Sequence, residues 1–221
     1  MTKSLWSLVL ATLTITPSGA LSPGPLSASA AAVGALLGPW GGFLIALGHM
    51  AVELPYVATL YRFASLMRRS LARLKVPMNT IIIVFLLFFS YLLLQDFIAV
   101  LRGESSPGRS PVSRPFEAFV VGAALTGLNV YFLAWWLTVG YALIEKSSEL
   151  GRKGFAAMYI SHVWMDYAWL ILLAAGGGAT KILGVIPYAI LLAILATILA
   201  GFAMKIAFDT WRLMRGYPAG S

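Results

Sequence analysis

Two stretches decide the fold: LGHMAVELPY, residues 47–56, and ISHVWMDYAW, residues 160–169. Each holds one of the chain's two histidines, and each histidine is followed four positions later by a carboxylate, Glu53 after His49 and Asp166 after His162. A spacing of four puts imidazole and carboxylate on one helical face, where they can touch. An aromatic continues each face at the seventh position, Tyr56 in the first stretch and Trp169 in the second. The pattern H-x-x-x-[ED]-x-x-[YW] therefore occurs twice, 113 positions apart.

The surroundings of both copies are apolar. Of 221 residues 60% are hydrophobic and 11% charged, with a mean hydropathy of +0.86, more apolar surface than a soluble fold of this size hides. Residues 79–100, NTIIIVFLLFFSYLLLQDFIAV, carry no charge before Asp96 and supply the roughly 20 residues a helix needs to cross a bilayer. Comparable runs lie at 4–37, 42–66, 116–144, 155–178 and 182–208, separated by RRSLARLK, RGESSPGRSPVSRP and EKSSELGRKG. Period-2 alternation is absent and the runs are too long for barrel strands, so the backbone must satisfy itself as helices. The expected fold is an all-α polytopic membrane protein of six transmembrane helices, one membrane transport domain over residues 1–221.

The first copy of the pattern falls in the second span and the second copy in the fifth, so the repeating unit has three spans. The expected repeats cover about 1–100 and 116–210, joined by a loop at 101–115. A duplicated unit with an odd number of spans re-enters the membrane upside down, which predicts inverted repeats and favours a transporter.

LSPGPLS, residues 21–27, interrupts the first run, which is too long for one ordinary crossing. Proline removes a donor and clashes with the preceding turn, Pro25 suits the first position of a following half-helix, and Gly24 is expected to let the backbone turn after Pro23. A half-helix N-terminus at membrane depth offers partial positive charge to an anionic group such as a carboxylate. Ser22 and Ser27 add hydroxyls. The corresponding place in the second unit is ALTGLNVYF, residues 124–132, where Thr126, Gly127 and Asn129 predict an interrupted fourth span.

The net charge of +8 reads as topology. With six alternating helices, one side receives Lys3, Arg62, Arg68, Arg69, Arg73, Lys75, Lys146, Arg152, Lys153, Lys205, Arg212 and Arg215, and the other only Arg102, Arg109, Arg114 and Lys181. The positive-inside bias places both termini in the cytoplasm of a multi-pass cell-membrane protein. Anionic lipid heads are expected partners of the Arg62 to Lys75 cluster; nucleic acid is not. Lys3, an apolar core and small residues near SGALS also fit a secretory signal, but the segment is read as a span. The chain has no cysteine, which excludes disulfides, thiolate ligands and thiol-disulfide carriage. Lys205 and Asp209 read as a snorkelling pair, and Gln95 and Asp96 as interfacial groups.

Taken together, Pro23-Gly24-Pro25, the glycine-rich entry GPWGGFLIALGH, the Asn129 region and Asp166 followed by Trp169 give the chain a resemblance to the LysE/RhtB superfamily of small amino-acid exporters. The resemblance spans essentially the whole chain. It implies efflux of amino acids or similar metabolites, usually coupled to protons. One departure is that relatives tend to carry Asn-Pro-Lys in the fourth helix, where this chain reads Asn129-Val130-Tyr131.

The expected mechanism is alternating access without any cofactor, by a chain that acts alone or as a homo-oligomer. His49, Glu53, His162 and Asp166 meet near the midplane and carry protons, because burial disfavours the charged forms while pairing favours them. Pro23, Gly24, Pro25, Gly127 and Asn129 contact the small-molecule substrate, and Tyr56 and Trp169 line its path. The competing assignment is a divalent-cation exporter that uses the two His-acid pairs as ligands. Metal-exporting relatives commonly place aspartates in the first and fourth helices, and residues 22–25 and 126–129 hold none. An intramembrane enzyme is not expected, since no H-E-x-x-H helix or G-x-S-x-G motif occurs.

Overall fold

The computed structural model describes residues 4–21, 24–104, 114–183 and 185–215, and these are helical almost throughout, with no strand among them. The helices are α1 (Leu5–Ile15), α2 (Pro17–Ala20), α3 (Pro25–Leu37), α4 (Pro39–Arg62), α5 (Ala64–Leu101), α6 (Pro115–Gly127), α7 (Val130–Leu137), α8 (Tyr141–Ser148), α9 (Gly151–Leu183) and α10 (Ile186–Met214). Four stretches, Pro39–Arg62, Asn79–Leu101, Gly151–Ala179 and Ala189–Met214, are long and apolar enough to cross a membrane. Two further spans arise if each bent pair is counted as one: Leu5–Ala20 with Pro25–Leu37, bent by 75°, and Pro115–Gly127 with Val130–Leu137, bent by 56°.

Local chemistry sets the helix starts. Ser4 Oγ caps α1 by accepting from the Ser7 amide at 3.1 Å. Proline occupies the first turn of α3, α4, α6 and α10, where its missing donor costs nothing. Between α3 and α4 stands Gly38 at φ 59°, and Gly151 at φ 63° opens α9; both lie in the left-handed region that a side chain disfavours.

Three details depart from the sequence expectation. The segment RRSLARLK, read as a connection, is part of α5, a single helix of 38 residues that runs on through Pro77. Its Leu, Arg, Ala and Lys residues are strong helix formers with no glycine among them, so nothing ends the helix at the membrane boundary. The first span breaks a second time at Thr16, before Pro17, and the fourth breaks again between Leu137 and Tyr141. Gly24 has φ −174°, an extended conformation open to any residue, so the chain does not need glycine there for a turn.

Glycines let the helices approach closely enough for backbone contact. A Cβ on Gly34 of α3 would sit 2.0 Å from the Ala174 carbonyl oxygen of α9, and one on Gly177 would sit 1.8 Å from that of Ala31. Gly48 and Gly122 do the same for α4 and α6, meeting the carbonyls of Phe119 at 2.0 Å and Ile45 at 2.2 Å. In lipid, where tails are as apolar as leucine, such small-residue seams are a main source of helix association. Helices α5 and α10 pair through Leu86, Leu93, Leu192, Leu195 and Leu199, with Ser90 Oγ donating to the Ala196 carbonyl at 2.9 Å. Large apolar side chains such as Trp6, Phe88, Ile160 and Met204 remain exposed on the outside, as a lipid solvent requires.

Candidate functional site

Helix α4 carries His49 and Glu53 one turn apart, and α9 carries His162 and Asp166 in the same way. The two helices touch at Gly42, whose Cβ would lie 2.4 Å from the Leu170 carbonyl oxygen, so their acid-histidine faces are brought together. Glu53 Oε1 lies 3.4 Å from His49 Nε2 and 3.3 Å from His162 Nε2, and His162 Nε2 lies 3.3 Å from Asp166 Oδ2. The result is an unbroken string, His49, Glu53, His162, Asp166, with every member no more than 5% exposed.

Glu53 is the hub of that string. Trp136 of α7 donates its indole N–H to Glu53 Oε1 at 3.0 Å, and the Tyr159 hydroxyl donates to Oε2 at 3.2 Å. A buried carboxylate is costly unless donors surround it, and here Trp136 of α7 and Tyr159 and His162 of α9 do so. By contrast, Asp166 Oδ2 and His49 Nε2 are buried and have no hydrogen-bond partner among the described residues.

Each histidine is also held from its other ring nitrogen by a threonine. Thr126, in the last turn of α6, places Oγ1 2.9 Å from His49 Nδ1. Thr16, at the break between α1 and α2, places Oγ1 2.9 Å from His162 Nδ1. Each brace crosses between the halves of the chain, from the first half's Thr16 to the second half's His162 and from the second half's Thr126 to the first half's His49.

All four acid and histidine side chains line a cavity of about 650 Å³ of unfilled space, counted with its open mouth. Its walls include Gly24, Pro25 and Ser27 at the start of α3, Asn129 at the start of α7, and the aromatic rings of Phe132, Trp135 and Trp136. No lysine or arginine is among its described lining residues, so its fixed charge comes from the acids and histidines. Gly24, the N-cap of α3, has no side chain with which to cap it, and the positive end of that helix dipole lies at the wall. A Cβ on Gly24 would meet nothing within 4 Å, so glycine there keeps the cavity open. Asn129 Oδ1 caps α7 by accepting from the Phe132 amide at 3.2 Å, which leaves its amide NH2 for other work.

The candidate residues thus divide. The structure brings together His49, Glu53, His162, Asp166, Gly24, Pro25 and Asn129 at one cavity. Pro23 and Ser22 lie outside the described residues. Tyr56, Trp169 and Gly127 are not in the cavity wall: the Tyr56 hydroxyl donates to the Leu133 carbonyl at 2.9 Å, the Trp169 indole donates to Ser27 Oγ at 3.3 Å, and Gly127 neighbours Val52. Distance along the helix is not the reason, since Leu170, one position beyond Trp169, lines the cavity; the Tyr56 and Trp169 side chains are drawn to their hydrogen-bond partners instead. Thr16, Trp136 and Tyr159 escaped the sequence reading. Tyr159 stands three residues before His162 on its face, and Thr16 precedes a proline, but Trp136 left no local signal.

The set has one more chemical capacity. His49, Glu53 and Asp166 each offer one ligand atom, all within 4.8 Å of one another, a nitrogen and oxygen set that suits a divalent cation.

A family model for LysE type translocators matches residues 17–210. The chain belongs to that family. This LysE type translocator is accordingly a multi-pass membrane protein that moves amino acids or similar small molecules. No curated protein and no solved structure matches it.

Proposed function

We propose that this translocator is a secondary active exporter of amino acids or similar metabolites, coupled to protons and working by alternating access between two inverted three-span repeats. The observation that carries the reading is the buried string His49, Glu53, His162 and Asp166 lining a cavity beside two helix interruptions. Ionisable groups at membrane depth are expensive and mark ion or substrate pathways. Protons entering from outside neutralise Glu53 or Asp166, favour one orientation of the repeats, and leave on the cytoplasmic side as substrate departs. The crosswise braces of Thr16 on His162 and Thr126 on His49 support the two-repeat reading. Substrate contacts fall to the backbone around Gly24 and Pro25 and to Asn129; both termini face the cytoplasm, by the distribution of Lys and Arg.

A second reading, export of a divalent cation, is favoured by the convergence of His49, Glu53 and Asp166. Proteoliposomes separate the two. Under an imposed pH gradient, counterflow across a panel of amino acids and divalent ions should select an amino acid or related metabolite and collapse with a protonophore. Uptake of a divalent ion with no amino-acid counterflow would overturn the first reading in favour of the second.

A further inference from the structure

The buried threonine of α6 settles which nitrogen of His49 faces the cavity. Thr126 Oγ1 lies 2.7 Å from the Gly122 carbonyl oxygen, one turn back on its own helix. Two oxygen lone pairs would repel at that distance, so the hydroxyl hydrogen points at Gly122. A threonine hydroxyl has only one hydrogen. Toward His49 Nδ1, 2.9 Å away, it can therefore act only as acceptor, and Nδ1 must carry a proton. Gly122 in turn cannot shift freely, because it packs against the Ile45 backbone of α4 one turn before His49.

The other ring nitrogen is in a different position. His49 lines the cavity, and its Nε2 is buried with no hydrogen-bond partner among the described residues, although Glu53 Oε1 lies 3.4 Å from it. Around the ring stand Glu53 from α4, His162 and Asp166 from α9, Thr126 from α6, and the Phe132 ring of α7 at 5.3 Å between centroids. His162 lacks the same constraint. Thr16 Oγ1 meets its Nδ1 at 2.9 Å, and that hydroxyl has no second acceptor among the described residues, so the contact can run in either direction.

We infer that Thr126 is a positioning residue: it keeps a proton on His49 Nδ1, so that Nε2, which faces Glu53 Oε1 at 3.4 Å, is the nitrogen of this ring that gains or loses a proton. The two histidines are then unequal: the Thr126 contact fixes where the proton lies at His49, whereas the Thr16 contact leaves both directions open at His162. The inference rests on the reading of the cavity as the transport site, but its test does not. A hydrogen bond to one ring nitrogen that selects the tautomer is a recurrent way to present the other nitrogen to a ligand.

The test uses the full chain in lipid nanodiscs with 15N-labelled imidazole rings. Because the chain has two histidines, the spectrum contains two rings, and His162→Gln assigns them. At alkaline pH, with the helical circular dichroism intact, His49 should be protonated on Nδ1. Thr126→Val should shift it toward the Nε2-protonated form, and Thr126→Ser should restore the wild-type signature. A wild-type His49 ring protonated mainly on Nε2, or one that stays doubly protonated up to the pH at which the fold is lost, overturns the inference. So does a folded Thr126→Val protein with an unchanged spectrum; should that variant fail to fold, the wild-type and serine spectra decide alone. Amino-acid export with the wrong tautomer would sink the positioning role and leave the transport reading standing, whereas the Nδ1 tautomer without export would do the reverse.

Discussion

Glu53 and His162 stand 109 positions apart in sequence and meet at 3.3 Å, Glu53 Oε1 to His162 Nε2. This contact joins two local His-acid pairs into one buried string, so a change of charge at either end is felt at the other.

Replacing Glu53 separates its charge from its shape. Glu53→Gln retains an acceptor oxygen for the Trp136 indole but cannot carry the exchanged proton. It should abolish export driven by a pH gradient while leaving substrate counterflow measurable. Full gradient-driven export by Glu53→Gln in proteoliposomes would refute a coupling role. Glu53→Leu strands the Trp136 indole, the Tyr159 hydroxyl and His162 Nε2 without their shared acceptor. Removing one partner from a buried ionic network costs about 3–5 kcal/mol, so this variant should melt well below Glu53→Gln in a thermal scan in detergent.

Gly24 tests the cavity. A leucine there meets no protein atom at its Cβ and suffers no backbone penalty at φ −174°, so thermal stability should stay close to that of the parent. Its side chain would occupy space at the mouth of α3, and the transport KM should rise about tenfold or more, equivalent to ~1.4 kcal/mol. An unchanged KM would remove the start of α3 from the substrate's route.

The glycine seams make a prediction about stability alone. Gly122→Ala and Gly34→Ala place a methyl carbon 2.2 Å and 2.0 Å from a backbone oxygen on a neighbouring helix, and neither backbone can yield by side-chain rotation. Each should destabilise the protein by about 3 kcal/mol, at the upper end of overpacking costs. Gly201→Ala, with nothing within 4 Å, is the control and should be neutral or gain up to ~1 kcal/mol in helix propensity. Equal melting temperatures for Gly122→Ala and Gly201→Ala would contradict the close packing of α4 on α6.

Lys205 and Asp209 form an i,i+4 ion pair at 3.0 Å, with side chains 72% and 49% exposed. Exposed pairs contribute at most about 1 kcal/mol, so Lys205→Gln should leave both the melting temperature and transport nearly unchanged. A large loss of transport would give the last helix a role outside the cavity.

Parts of the site were legible because their signal is local. The spacing of four in both His-acid pairs requires only the pitch of a helix, and Pro25 announces a helix start through its fixed φ and missing donor. Asn129 reads equally well as a cap, which it is. Trp136 and Tyr159 were not legible as partners of Glu53, because an aromatic in an apolar run is ordinarily packing or an interfacial anchor. Thr16 was hidden for a related reason: its partner lies 146 positions away. The continuation of α5 through RRSLARLK also went unread, since a dense run of positive charge marks where a chain leaves the membrane without saying whether the helix stops.

The sequence by itself determined the solvent, the approximate spans, the interruptions near residues 24 and 128, and the two faces on which acid follows histidine, all of which depend on transfer energy and helical period over neighbouring residues. Only the tertiary structure decided that Glu53 and not Asp166 is the hub, that a threonine from the opposite half braces each histidine, and that Tyr56 and Trp169 stand clear of the cavity. Those outcomes depend on how α4, α6, α7 and α9 are offset when their glycine seams close, and an offset between helices is a property of packed surfaces that no single stretch of chain contains.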